Sequence, residues 1–387
     1  MDIKAVACYI VTAVTFEIVS ASLYDPHLFP GHDKGPFFEG WYMRVTDQFS
    51  RDSFGLLFGS VLPSSSRNVS GPLVVASILL RRCDVTSDTC KLISIDGKFT
   101  TNDLDITVNG QDVTTDPDKG SPPNFKWQVN NGTHGGFFEQ NGGKTTFNFR
   151  LGDLTLRGEA KDPCYWNAAG TGPEGWLINF PLPLHWFVYS LRSELTSYEI
   201  QNITSGTVTK GNTGAVHLEK NWGKSFPSEW IWSEGISFDK DNATFALSGG
   251  LVDFSFISVN AYLIGYRNQA QNLSLDFRPD NSIINARING CLGYVNMSVN
   301  SLMYKMEINL AAPVSTLSSC LLGPETRGFV RACVESYDAE ATITVSKRSF
   351  LPFQYNIVEQ KTFKNIALEF GGHNVCNDTC STTVSSR

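Results

Sequence analysis

Along nearly all of this chain, apolar and aromatic residues recur at every second position in short runs, and Gly, Asn, Asp and Pro separate the runs. A period of two places successive side chains on opposite faces of an extended strand, whereas a helix needs a recurrence near 3.6. Long helical periodicity is absent. The pattern predicts strands over 38–46, 73–81, 145–151, 154–160, 215–222, 230–238, 260–266, 303–310 and 340–346. Asn109-Gly110, Asn141-Gly142-Gly143 and Asn289-Gly290 are hairpin turn signals, and residues 116–124 form a polar, Pro-bearing loop. Many short strands at this spacing specify an all-β fold, a sandwich or a barrel.

Length divides the fold. After a leader is set aside, the chain is long enough for two domains of ordinary size. The polar stretch 201–213 reads as a connector, so the sequence predicts an N-terminal β-domain over 22–205 and a C-terminal β-domain over 206–387. The leader itself is 1–21: Lys4 gives a basic start, the run from Ala5 to Val19 is mostly apolar, and Val19-Ser20-Ala21 offers a small-residue cleavage site. That run is shorter than the roughly 20 residues of a membrane-crossing helix, and no later one is longer, so no membrane span is expected. The expected address is the secretory pathway or the extracellular space.

An oxidising compartment changes how the cysteines are read. Removing Cys8 with the leader leaves Cys83, Cys90, Cys164, Cys291, Cys320, Cys333, Cys376 and Cys380, an even set that favours disulfides. Cys83 and Cys90 flank a short polar turn and form the preferred local pair. Glycosylation sequons lie at Asn68, Asn131, Asn202, Asn242, Asn272, Asn296 and Asn377. The formal charge of −7 supplies no basic footprint, so neither nucleic acid nor an anionic membrane is an expected partner.

Chemistry concentrates in two extended segments that set carboxylates among aromatics. A carboxylate in such surroundings is costly to bury unless it is protonated or paired. In Phe37-Phe38-Glu39-Gly40-Trp41-Tyr42-Met43-Arg44, strand alternation puts Glu39 and Trp41 on one face and Tyr42 and Arg44 on the other. In His217-Leu218-Glu219-Lys220-Asn221-Trp222, it puts His217, Glu219 and Asn221 together, opposite Lys220 and Trp222; downstream it aligns Trp230, Trp232 and Glu234. Glu219 reads either as a general acid or hydrogen-bond donor oriented by His217 or Asn221, or as a structural partner of Lys220 or an Arg. Glu39 and Glu234 carry the same two readings. Trp41, Trp186, Trp222, Trp230 and Trp232 supply either core or a π-rich cavity able to stabilise positive charge. His185, beside Trp186, is a candidate donor to a phenol or ketone oxygen, or a satisfied core histidine.

Other chemistries lack their signatures. HExxH, paired CxxC, GxSxG, the P-loop and a strand-following GxGxxG are all missing, which leaves a reaction needing no cofactor and no metal.

The segments FFEGWY at 37–42 and EKNWG at 219–223, with Phe226-Pro227 and Trp230-Ile231-Trp232 at fixed offsets, resemble the tocopherol cyclase-like family. Gly172-Pro173-Glu174-Gly175-Trp176, His185-Trp186, Ala332-Cys333 and Leu368-Glu369-Phe370-Gly371-Gly372 continue the resemblance in order. It implies packed lipocalin-like, barrel and sandwich domains with a ligand pocket in a barrel mouth or between domains. It also implies a cyclase acting on an apolar small molecule, either a prenylated aromatic or a quinone methide with a terpene, as in secreted fungal relatives that act as hetero-Diels-Alderases. Catalytic roles then fall to Glu219, Glu39 and His185, and substrate contact to Trp41, Trp186, His217, Asn221, Trp222, Trp230, Trp232 and Glu234. A lipocalin-like carrier that binds such ligands without chemistry is the competing expectation. Non-reducing peptide mapping is expected to recover Cys83 linked to Cys90, and free thiols at most of the eight cysteines would overturn the secretory assignment.

Overall fold

A computed structural model describes residues 35–49, 53–64, 69–84, 89–108, 124–167, 171–180, 182–224, 226–254, 257–349, 354–376 and 380. The leader, Asn68, Asn377, Asn109-Gly110 and most of 116–124 lie outside them. The first sheet holds β1 (Phe37–Asp47), β2 (Ser53–Leu62), β3 (Val74–Asp84), β4 (Thr89–Phe99), β5 (Leu104–Val108), β6 (Phe125–Asn130), β7 (Gly135–Asn141), β8 (Lys144–Leu151), β9 (Leu154–Cys164), β10 (Leu184–Asn202), β11 (Val208–Gly211) and β12 (Gly214–Gly223). The second holds β13 (Glu229–Ile236), β14 (Thr244–Phe254), β15 (Ile257–Asn268), β16 (Leu273–Phe277), β17 (Ser282–Asn289), β18 (Tyr294–Ser301), β19 (Tyr304–Ala311), β20 (Leu321–Glu325), β21 (Gly328–Arg348) and β22 (Tyr355–Gly372). The all-β expectation is met. Among the described residues the helices are short 3-10 turns, and none is long and apolar enough to cross a membrane.

Each sheet curls around its own core. In the first, the hydrogen-bonded order β4-β3-β2-β1-β12-β10-β9-β8-β7-β6-β5 brings Gly97 of β4 against Leu151 of β8 and nearly closes a barrel. Trp41, Phe58, Trp127, Phe138 and Phe149 fill its interior. In the second, the order β16-β15-β14-β13-β22-β21-β19-β18-β17 wraps Phe245, Tyr266, Ile308, Ile343 and Phe363. The Gly142-Gly143 turn between β7 and β8 forms as predicted: both glycines have positive φ, 56° and 81°, the geometry of a two-residue hairpin.

The division between sheets falls at 224–228, not near 205. β12, which carries EKNWG, is hydrogen-bonded between β1 and β10 and so belongs to the first sheet. The polar stretch that suggested a boundary is the β10–β11 hairpin and its sequel, an edge of that same sheet. Polarity there reflects exposure, not a change of domain.

β1, β12 and β13 are buried almost without interruption because each has a barrel core on one side and the opposite sheet on the other. Tyr42, Trp186, Trp230, Trp232 and Tyr337 form the apolar layer between sheets. Close packing needs glycines there: a Cβ at Gly55 would sit 2.2 Å from the Tyr337 hydroxyl, and one at Gly371 would sit 1.8 Å from the Trp230 indole. Polar clasps cross the same layer. Arg44 of β1 reaches Glu234 of β13 at 2.5 Å, also donates to the Asn365 carbonyl, and lies 4.7 Å from the centroid of the Tyr337 ring. Arg81 bonds Asp338, and Arg331 bonds Asp96 at 2.7 Å.

Disulfides join Cys291 to Cys376 and Cys320 to Cys380, as an oxidising compartment would permit. Cys90 is disulfide-bonded and sits opposite Cys83 in the β3–β4 register; the Cys83 side chain is outside the described residues. Cys164 and Cys333 are free thiols, so oxidation does not extend to the full even set. Of the described sequon asparagines, Asn131, Asn242, Asn272 and Asn296 are exposed and Asn202 is half-buried.

Removing one partner of a buried ion pair strands the other charge, at a cost of about 3–5 kcal/mol, while replacing both by apolar groups is far milder. Urea unfolding is therefore expected to show Arg44→Met destabilised on that scale, with Arg44→Met combined with Glu234→Met recovering a large part of the loss.

Candidate active site between the two sheets

Strand alternation sorts the predicted residues into two groups that do not meet. Glu39, Trp41, Lys220 and Trp222 point into the first barrel. Glu39 pairs with Lys220 at 3.0 Å, both side chains fully buried, and the ammonium lies 5.2 Å and 5.1 Å from the ring centroids of Trp41 and Trp222. The Trp41 indole N–H donates to the Tyr189 hydroxyl. Desolvation demands such pairing, and the cation–π contacts add to it. Glu39 thus sits in a buried ion pair inside the first barrel, on the opposite sheet face from Glu219.

The second group faces the inter-sheet layer. Glu219 Oε2 lies 3.0 Å from His217 Nε2 and accepts from Trp232 Nε1 at 2.8 Å, and the Asn221 amide approaches Oε1 at 3.4 Å. The Trp232 ring meets Tyr42 edge-on at 4.8 Å. His217, Glu219 and Asn221 share this face as expected, and Trp232 joins them from the other sheet. Glu234 is tied to Arg44. The arrangement makes Glu219 an acceptor that fixes an imidazole and an indole.

Sequence reasoning gave no role to Tyr42, Glu174, Glu335, Tyr337 or Glu369. β21 and β22 pair Glu335 directly opposite Glu369. Tyr42 donates to Glu335 at 2.7 Å and its hydroxyl lies 2.7 Å from that of Tyr337, while the Trp230 indole N–H donates to Glu369 at 2.5 Å. The available signal was the one used elsewhere, an acid inside an alternating apolar run: Cys333-Val334-Glu335-Ser336-Tyr337 and Leu368-Glu369-Phe370.

At one end of the layer lies an apolar cavity of about 220 Å³, walled by Trp186, Phe226, Trp230, Leu184 and Leu263, with Glu174 among its lining residues. Glu174 accepts from the Trp186 backbone N–H at 2.6 Å and lies 2.8 Å from His185 Nδ1; His185 stacks on Trp222 at 5.1 Å. Trp186 and Trp230 therefore face the cavity, whereas Trp41 and Trp222 do not line it. The indole N–H of Trp186 is buried and meets no hydrogen-bond acceptor among the described residues. Drug-sized ligands usually occupy roughly 300–1,000 Å³, so this cavity falls below that range.

Two curled sheets packed face to face, with an apolar cavity and buried acids between them, define an all-β protein. The chain belongs to the tocopherol cyclase-like family, which it matches over residues 35–372, and that membership supports a cyclase role. It is 25% identical over 382 residues to the chloroplastic tocopherol cyclase of Zea mays, covering 90% of this chain and 77% of the relative. The structure of CghA with Sch210972 superimposes with a TM-score of 0.53 at 10% identity, over 87% of this chain and 88% of that one. Kievitone hydratase from Nectria haematococca gives a TM-score of 0.43 at 8% identity, over 86% and 88% of the two chains.

The buried acids carry a pH signature. Burial and the facing Glu369 hold Glu335 well above the ordinary carboxyl range; burial, with a contribution from the Glu219 charge, lifts Glu369 from 4.5 to about 7. Burial opposes protonation of His217, yet its hydrogen bond to Glu219 and the charges of Glu234 and Glu219 raise it overall. Each group binds its proton more tightly folded than unfolded. The stability it contributes is complete below its unfolded value and is lost as pH rises through the folded one. Calorimetry at fixed ionic strength is expected to show the unfolding midpoint falling from pH 5 to pH 8, with a shallower fall in Glu369→Gln.

Proposed function

We propose that this chain is a cofactor-independent cyclase or pericyclase that closes a dihydropyran or chroman ring on a terpenoid phenol or quinone methide. The form we favour is an intermolecular hetero-Diels–Alder reaction joining an o-quinone methide to a sesquiterpene alkene. The observation that carries this reading is the apolar inter-sheet cavity, walled in part by Trp186, Phe226 and Trp230. Ring closure of this kind creates a C–O bond and a C–C bond without net redox change. Catalysis then needs two things, a near-attack pose and a hydrogen bond to the carbonyl oxygen as it gains charge.

The residues suit those tasks. Trp230 and Phe226 hold the apolar partner, and Trp186 supplies a donor to the oxygen. Glu219 keeps Trp232 and His217 fixed behind that wall, while Glu174 holds His185 and the Trp186 backbone. The disulfides support secretion.

Purified protein incubated with a quinone methide precursor and a humulene-type alkene is expected to form one stereoisomer faster than buffer does. Trp186→Phe keeps the ring and removes the donor, with an expected rate loss of roughly 10²-fold, the usual scale for one such donor. Glu219→Gln should lower the rate by loosening the Trp232 and His217 donors. Tight ligand binding with no acceleration and no selectivity would establish a carrier instead.

A further inference from the structure

One end of the first barrel opens as a cavity of about 380 Å³. It lies where β2 and β9 begin and β3 and β10 end, with Phe54 paired to Leu80 and Leu154 to Asn202. Phe54, Leu80 and Leu154 belong to the barrel core and Ile200 packs against it, so the floor of the cavity is apolar. Its rim is polar, with Arg82, Thr207 and Thr209 all exposed. The volume falls within the roughly 300–1,000 Å³ of small-molecule sites, and no lining residue is shared with the inter-sheet cavity.

Strand alternation decides where the charge goes. Leu80 and Arg82 share one face of β3, so the strand that sends Leu80 into the core delivers Arg82 to the rim two residues later. On β4, Ile93 packs against the same core and Lys91 lies two residues nearer the rim. Register sets Arg82 directly opposite Lys91, and like charges so placed repel. Both side chains are exposed, and neither has a carboxylate partner among the described residues. Arg81, on the other face of β3, is by contrast bonded to Asp338. Two uncompensated cations at the edge of an apolar floor match an anion that carries an apolar body. A guanidinium takes a carboxylate through paired N–H donors, and the negative charge relieves the repulsion from Lys91.

We propose that this mouth is a second binding site, one that takes an amphipathic anion: a carboxylate held by Arg82 with Lys91 beside it, and a short alkyl chain laid on Phe54, Leu154 and Ile200. The barrel interior behind Phe54 is filled by aromatic side chains, so the chain stays at the mouth and does not run down the axis. The site is independent of ring closure. The protein as a whole carries −7, so the attraction is local to the rim and is screened by salt.

Isothermal titration of the purified chain with octanoate at low salt tests this. In parallel, 1-octanol supplies the chain without the charge, and acetate the charge without the chain. Octanoate is expected to saturate one site, with 1-octanol and acetate each at least tenfold weaker. Arg82→Gln should weaken octanoate by about tenfold, the scale of a charge-assisted hydrogen bond, and leave 1-octanol unchanged. Thr209→Glu, which adds a carboxylate to the rim, should weaken octanoate at least as much. Arg287→Gln, at an exposed arginine of β17, should change nothing. Removing one of two mutually repelling surface cations should not lower the unfolding midpoint, so affinity lost in Arg82→Gln reports the site and not the fold. Absence of octanoate binding, 1-octanol or acetate binding as tightly as octanoate, or octanoate affinity unmoved by Arg82→Gln would each overturn the proposal.

Discussion

The ion pair between Arg44 and Glu234 is the interaction on which the rest of this structure depends. It joins β1 of the first sheet to β13 of the second, in the buried layer between them. Arg44 also takes the Asn365 carbonyl and the Tyr337 ring, so one guanidinium fixes three strands of the second sheet against the first. Without that alignment Tyr42 would not meet Glu335, and Trp232 would not meet Glu219.

Charge balance explains why so many acids survive in this layer. Glu219 faces the His217 imidazole, and Glu234 faces the Arg44 guanidinium. The other two acids, Glu335 and Glu369, are held toward the neutral form. Burying a carboxylate here without a cation would cost several kcal/mol, and protonation removes that penalty. The layer is apolar in composition and polar in detail, and its polar atoms are ordered because the alternatives are costly.

Much of the fold was legible in the chain because strand periodicity is a local property. Alternation placed His217, Glu219 and Asn221 on one face, and the same rule put Glu39 with Trp41, away from Tyr42 and Arg44. Which face of β1 meets which face of β12 is a question of long-range register, and sequence alone did not answer it. For the same reason it was not evident that Glu39 and Glu219 face away from each other, or that β12 belongs to the first sheet. Glu335 and Glu369 went unassigned because their significance is a cross-strand relation: each alone is an ordinary glutamate in a strand, and only the β21–β22 register makes them a pair.

Both sheets are clasped by strands distant in the chain. β1 pairs with β12, and β13 pairs with β22, so each sheet encloses its core only when an early strand meets a late one. Such closure is slow, because a long loop must be ordered before the pairing repays it. During synthesis β1 waits, with Phe38, Trp41 and Tyr42 uncovered, until the EKNWG strand emerges more than 150 residues later. Its bare edge is then an aggregation risk that a chaperone would have to shield. The strand bearing the most chemistry is thus also the one that ends this exposure: β12 covers the free edge of β1 and carries Glu219 to the meeting face in a single step.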